Sequence, residues 1–272
     1  MRHIFIGDVQ ACYDPLMRLL EKINYDSTQD RLCFCGDLIG RGPQALQVLQ
    51  WIKKEPLAQV VLGNHDIFLL MLLYEVPIFE AVPDDLKAVM SSPDKDALAQ
   101  WLLSQPLIRQ VTPTTVMVHA GIPPQWNVPH ALKKNQLWHS ALESSRNTQE
   151  FLSALWADTP SEPCNSNDPG HLSYMVNAFS RMRFCDQQGT LDFLYKKHHC
   201  PLDGYRPWFE WRADEESTII FGHWSALREH HDIRRSNTMA MDTGCVFGGC
   251  LSAYILEDDR VVQQPCEDLC QK

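Results

Sequence analysis

The chain has 272 residues, 44% of them hydrophobic and 21% charged, a globular balance that leaves no room for a long disordered tail. Thirty-four Asp and Glu oppose 24 Lys and Arg; the net charge of −10 argues against general nucleic-acid or anionic-membrane binding, but not against a small phosphorylated substrate whose charge is met by bound metal ions. The longest apolar run, Ile67 to Tyr74, falls far short of the roughly 20 residues of a membrane helix, and residues 1–10 carry no signal-peptide pattern, so a cytoplasmic protein is expected.

Along the chain, short apolar strands end abruptly in Gly, Asp, Asn or His. Ile4-Phe5-Ile6 runs into Gly7-Asp8, and Leu32-Cys33-Phe34-Cys35 into Gly36-Asp37. Val60-Val61-Leu62 precedes Gly63-Asn64-His65-Asp66, Val116-Met117-Val118 precedes His119-Ala120-Gly121, and Ile219-Ile220-Phe221 precedes Gly222-His223. Between the first three lie helical patterns. Pro15 to Ile23 sets Leu16, Leu19, Leu20 and Ile23 on one face, and Pro43 to Lys54 does the same with Leu46, Leu49 and Ile52, Pro43 standing in the first turn. Strand–helix alternation of this length implies right-handed crossovers, a largely parallel sheet and a ligand crevice beyond the carboxyl ends of its strands.

Residues 75–110 read as helical with Pro breaks, and residues 125–215 as Trp-, Pro- and Asn-rich with helical patches near 130–156 and 173–183. Both are expected to be cap-like insertions on a single domain spanning 1–272. Residues 238–263 return to short strands, Met239–Met241 and Ser252–Leu256, expected to form a second sheet. The predicted class is α/β: a sandwich of two sheets with helices outside. The ten cysteines include no Cys-x-x-Cys pair and are expected to be reduced and structural.

The polar residues at the five strand ends are Asp8, Gln10, Asp37, Asn64, His119 and His223. Carboxylate, amide oxygen and imidazole are ligands for borderline divalent metals, and the lack of cysteine among them disfavours a thiolate zinc site. Two metals roughly 3.5–4 Å apart need a bridging oxygen, for which Asp37 is the natural choice; such a pair activates water and clamps phosphoryl oxygens. Each cluster alone is weak evidence, since a Gly-Asp after a strand is usually a turn. Five in order are not a coincidence. Trp208, Phe209 and Trp211, beside Arg206 and Pro207, form an aromatic segment that either packs or stacks on a purine.

These motifs resemble the ordered signature of the phosphoprotein-phosphatase branch of metallophosphoesterases. Gly121-Ile122-x-Pro124-Gln125-Trp126, the stretch Asn177–Phe184, Phe221–Trp224 and Asp242-Thr243-Gly244-Cys245 are similar to the bacterial symmetrical bis(5′-nucleosyl)-tetraphosphatase family, over nearly the whole chain. The resemblance implies the four-layer α/β/β/α metallophosphoesterase sandwich. It also implies hydrolysis of diadenosine tetraphosphate into two ADP at a dinuclear centre, most often of Mn²⁺, with Co²⁺, Fe²⁺ or Zn²⁺ as alternatives. Residue by residue, it implies a first metal on Asp8, Gln10 and Asp37, and a second on Asp37, Asn64, His119 and His223. His65 would be the general acid, and Arg41, Arg181 and Arg183 would hold phosphate oxygens.

Two departures matter. Gln10 stands where the broader superfamily has His. Gly40 stands where protein phosphatases place an Asp that orients the catalytic His; Asp66 is a substitute for it or a helix cap. The competing functions are a protein serine/threonine phosphatase, against which Gly40 counts, and a catalytically inactive nucleotide-binding module, against which His65 and the full ligand set count. Related dinucleoside polyphosphates and nucleotide-capped RNA ends are further substrates the resemblance allows.

Overall fold

The computed structural model describes residues 1–77, 81–145, 147–165, 168, 170–212, 216–230, 234–235 and 237–266. In chain order the N-terminal half runs β1 (Arg2–Ile6), α1 (Tyr13–Lys22), β2 (Asp30–Phe34), α2 (Ala45–Lys54), β3 (Gln59–Val60), α3 (Asn64–Leu73), α4 (Lys87–Met90), α5 (Lys95–Leu103), β4 (Ile108–Thr112) and β5 (Thr115–Val118). Then come α6 (Val128–Ser144), α7 (Thr148–Leu155), α8 (Gly170–Arg181), β6 (Phe184–Cys185), β7 (Leu191–Asp192) and β8 (Arg206–Pro207). The chain closes with β9 (Thr218–Phe221), β10 (Arg234–Arg235), β11 (Thr238–Ala240), β12 (Cys250–Ile255) and β13 (Arg260–Pro265).

Two five-stranded mixed sheets result, ordered β13-β12-β1-β2-β3 and β10-β11-β9-β5-β4, beside a small β7-β6-β8 sheet. Strand β1 pairs parallel to β2 and β2 to β3, as the strand–helix alternation requires, and β5 pairs parallel to β9. The 238–263 expectation is corrected: β11 joins β9, but β12 pairs antiparallel with β1, so the C-terminal strands divide between the sheets. The second sheet is instead centred on β5 and β9, whose apolar runs are buried on both faces.

The alternation of side chains along a strand sorts these residues into two layers. Phe5, Cys33, Cys35, Val61 and Tyr254 from the first sheet share one buried cluster with Met117, Ile220, Met239 and Met241 from the second. Their neighbours Ile4, Ile6, Leu32, Phe34, Val116, Val118, Ile219 and Phe221 turn the other way, into the larger core that includes helical residues such as Leu16, Leu49, Leu70 and Phe179. Each fully buried side chain of this size contributes about 1.5–3 kcal/mol of transfer free energy, which is why so few polar residues interrupt these runs. Helix α1 lies against β12 and β13, α6 against β4, and α5 against α2 and α3. Helix α3 buries Ile67, Leu69, Leu70, Met71 and Leu72, too much of its circumference for a surface helix.

Two local expectations change. Helix α2 starts at Ala45 with Gln44 as its N-cap, so Pro43 precedes the helix, ending the Gly40-Arg41-Gly42 turn rather than opening the first helical turn. Cys245 and Cys266 are disulfide-bonded, with Cα atoms 5.3 Å apart, against the expectation of reduced thiols. The β12–β13 hairpin returns Cys266 to the loop that begins at Gly244, where its N–H donates to the Gly249 carbonyl at 2.9 Å, a proximity that sequence spacing does not reveal. Among the described residues no helix is long and apolar enough to cross a membrane.

Candidate active site

The five strand ends converge, three from the first sheet and two from the second. Their approach depends on absent side chains: a Cβ on Gly222 would lie 2.0 Å from Asp8 Oδ1, and one on Gly63 would lie 2.2 Å from Asp37 Oδ1. The backbone is also bent at three of the candidate ligands and at Arg41. Gln10, Asp37, Arg41 and His223 have φ of 44°, 47°, 62° and 66°, a region non-glycine residues enter at a cost and mostly where function holds them there.

Asp37, His119 and His223 bring potential ligand atoms within 4.8 Å of one another, and all three are buried or nearly so. Each imidazole spends one nitrogen on the backbone. His119 Nδ1 donates to the Cys35 carbonyl at 2.8 Å, and His223 Nε2 to the Arg181 carbonyl at 3.0 Å. This fixes the tautomers and turns His119 Nε2 and His223 Nδ1, as lone pairs, toward the cluster. Burial lowers the pKa of both rings, and Arg183 pulls His223 down further, so both are neutral and able to ligate at neutral pH.

Asn64 supplies the test of whether a cation fits. Its side-chain oxygen lies 3.3 Å from His119 Nε2, 2.9 Å from His223 Nδ1 and 3.2 Å from the Ser180 carbonyl, so it faces acceptors alone. With no cation the amide would do better turned over, its NH₂ donating to all three. A divalent ion would instead draw the amide oxygen and the two imidazole lone pairs together with Asp37. The donor set is oxygen and nitrogen only, the chemistry of a borderline metal.

Asp8 and Gln10 flank this cluster. Both Asp8 oxygens accept from the His223 N–H at 3.1 Å, and the Gln10 N–H donates to the Asp37 carbonyl at 2.8 Å. Burial, with Asp242 and Asp37 nearby, raises the Asp8 pKa well above the usual carboxylate range. Asp242 is the residue the sequence reading quoted without using. It follows β11 as Asp8 follows β1, it is buried, and burial pushes its carboxyl up to about 6. The signal was present: Met239-Ala240-Met241 before Asp242-Thr243-Gly244 repeats the strand-then-Asp pattern.

A cavity of about 390 Å³ opens over the cluster; its wall includes Gln10, Asp37, Asn64, His65, His223 and Asp242. All three expected arginines line it. Arg183 is the most buried; desolvation brings its pKa down to about 10, against the pull of Asp242, Asp37 and Asp8, and its Nε has no partner. An unpartnered guanidinium N–H beside acceptors is a waiting site for an anionic oxygen. Arg181 is more committed, donating to Asp158 at 2.6 Å and Asn177 at 2.9 Å, with its guanidinium 4.8 Å from the Phe193 ring.

His65 heads helix α3, its N–H donating to Asp37 Oδ1 at 2.9 Å. A Cβ on Gly40 would fall 2.7 Å from His65 Nδ1, so the His65 ring occupies the space that an aspartate there would need. Of the two readings of Asp66, its hydrogen bonds fit the cap. Oδ2 accepts from the N-cap Gly63 N–H at 2.9 Å and Oδ1 from the Leu38 N–H at 3.0 Å, tying α3 to the β2 loop. The aromatic segment is packing. Trp208 is fully buried, its ring 5.1 Å from that of Phe221, and Trp211 Nε1 donates to the Cys185 carbonyl at 3.0 Å. The aromatic rings that do line the cavity are Trp156, Phe193, Trp224 and Phe247.

Two facing sheets with acidic, amide and imidazole ligands at their strand ends define a metallophosphoesterase, and residues 1–229 match the family model of the calcineurin-like phosphoesterases. A cold-active protein-tyrosine phosphatase of a Shewanella species shares the fold, with a TM-score of 0.55 at 17% identity over 97% of this chain and 80% of that one. So does a structure described as a candidate diadenosine tetraphosphatase, at 0.64 and 22% over 97% and 93%. The sequence relatives are more specific. "Bis(5′-nucleosyl)-tetraphosphatase, symmetrical" of Coxiella burnetii is 42% identical over 96% of this chain and 91% of its own, and that of Nitrosospira multiformis is 40% identical over 96% and 94%. The chain belongs to the symmetrical bis(5′-nucleosyl)-tetraphosphatase family.

Proposed function

We propose that this protein hydrolyses diadenosine tetraphosphate at its central anhydride, giving two ADP. The observation that carries the reading is the convergence of Asp37, His119 and His223 within 4.8 Å, with the Asn64 amide against both imidazoles, in a family of phosphoesterases. The packing of the two sheets supports the four-layer α/β/β/α arrangement for one domain, with 75–110 and 125–215 as insertions, the second of which supplies cleft residues Trp156, Arg181, Arg183 and Phe193. Two divalent ions, Mn²⁺ by preference, would be held by Asp8, Gln10 and Asp37 and by Asp37, Asn64, His119 and His223; when bound they supply a nucleophilic water and neutralise phosphoryl charge.

The remaining work falls to the chain. Asp37 fixes its two neighbours at once, through its side chain and through the Gln10 N–H on its carbonyl. Arg183, with Arg41 and Arg181 nearer the rim, would hold non-bridging oxygens of the polyphosphate. As the water oxygen bonds to the attacked phosphorus, the P–O bond opposite breaks, and His65 gives its ring proton to the departing ADP oxygen. Asp66 holds the helix that carries His65 through its bonds to the Gly63 and Leu38 N–H groups.

Gly40 speaks against a protein phosphatase, since the His65 ring fills the place of the orienting acid. Anion-exchange separation of the products of diadenosine tetraphosphate tests the reading. ADP alone is expected, and ATP with AMP would overturn it.

A further inference from the structure

Behind His65 lies a second cavity, of about 280 Å³, with Phe68, Pro83, Asp85 and Leu86 in its wall. It shares Arg41 and His65 with the metal-facing cleft, so the two spaces adjoin at the general acid. We propose that this cavity receives the adenosine of the departing ADP, an inference that rests on the reading above.

The direction follows from the reaction geometry. In-line displacement places the leaving oxygen opposite the incoming water, and a general acid must sit within hydrogen-bond reach of that oxygen. Everything attached to the leaving oxygen therefore extends past His65, away from the cluster. The phosphates would meet Arg41, whose backbone N–H donates to Asp85 Oδ2 at 2.7 Å. The base then arrives at Phe68, Pro83 and Leu86, an apolar wall with one carboxylate. Its size is near the lower end of the roughly 300–1,000 Å³ of ligand pockets, suited to one nucleoside rather than two. Phe68 also lies 6.2 Å, ring to ring, from Trp156 of the first cavity, so this aromatic pair stands between the two spaces. Asp85 offers an acceptor for an exocyclic purine amino group, and Phe68 a face on which a base stacks.

The test is the ratio of kcat/KM for diadenosine tetraphosphate to that for inorganic tripolyphosphate, whose leaving group carries neither nucleoside nor ring. Pro83→Trp, which fills the cavity from a half-buried position, and Phe68→Ala, which removes the stacking face, should each lower this ratio at least about tenfold and weaken product inhibition by ADP. A ratio within about threefold of wild type, or parallel loss on both substrates, would overturn the inference and leave the activity standing. Wild-type protein that releases no ADP would instead overturn the parent reading, and this inference with it.

Discussion

Asp37, His119 and His223 stand at the ends of strands buried on both faces, whereas Trp156, Phe193 and Phe247, which line the same cleft, come from a helix end, a loop and a short 3-10 turn, and Phe247 is 47% exposed. The first group is positioned by backbone. Glycines admit the carboxylates, carbonyls lock the imidazoles, and positive φ angles aim Gln10, Asp37 and His223. The second group is positioned by side-chain packing around Arg41 and Arg181. The difference predicts that metal binding rests on the sheet-borne residues and substrate choice on the outer walls, so the two should fail separately.

The largest expected effect tests the backbone-built half. Asp37→Asn should abolish metal binding and activity together; elemental analysis showing both metals retained would remove Asp37 as the bridge. Next is His65→Ala, expected to lower kcat by about 10²–10⁴-fold with the metals still bound, the usual worth of a general acid. A loss below tenfold would mean that water protonates the departing ADP.

Trp208→Ala sharpens the division between core and wall. Emptying a fully buried indole should cost about 3–5 kcal/mol in denaturant unfolding, yet leave the preference for diadenosine tetraphosphate over an aryl phosphate unaltered among molecules still folded. Loss of that preference would restore the segment as a base platform. Gly222→Ala should cost less, about 1–3 kcal/mol, because its Cβ meets Asp8 Oδ1 at 2.0 Å, and should weaken metal affinity as Asp8 is displaced.

The smallest effect is in pH. The imidazoles of His119 and His223 are lowered by burial, so their contribution to apoprotein stability is present above about 6.5 and lost as pH falls. The carboxyls of Asp8 and Asp242 are raised, Asp242 to about 6, so theirs is present at low pH and lost as pH rises through that value. Metal competes with protons at both kinds of group. The rise in Tm on adding Mn²⁺ should therefore be larger at about pH 7.5 than at about pH 5.5. A pH-independent rise would contradict the ligand set.

The same division explains what could be read from the chain. Short apolar runs ending in Gly-Asp, Gly-Asn-His and Gly-His are local patterns, and local patterns locate strand ends. They do not say that β12 would return to β1, that Cys266 would meet Cys245, or that Trp208 would face Phe221, because these depend on partners far away in sequence. Phe68, Pro83 and Leu86 look like ordinary core residues until His65 is placed beside them. Asp242 was legible too, but its strand is short and no glycine stands before it as one stands before Asp8 and Asp37.

Hydrolysis of diadenosine tetraphosphate in H₂¹⁸O, read by mass spectrometry, tests the central claim most directly. Attack at a central phosphorus opposite the bridging oxygen puts one ¹⁸O into the β-phosphate of one of the two ADP molecules, so half of the ADP should carry the label and nothing else should. Label in AMP would show water delivered to an outer phosphorus, and label in ATP would show water at an inner phosphorus with AMP expelled; either would contradict the account even with every metal ligand in place.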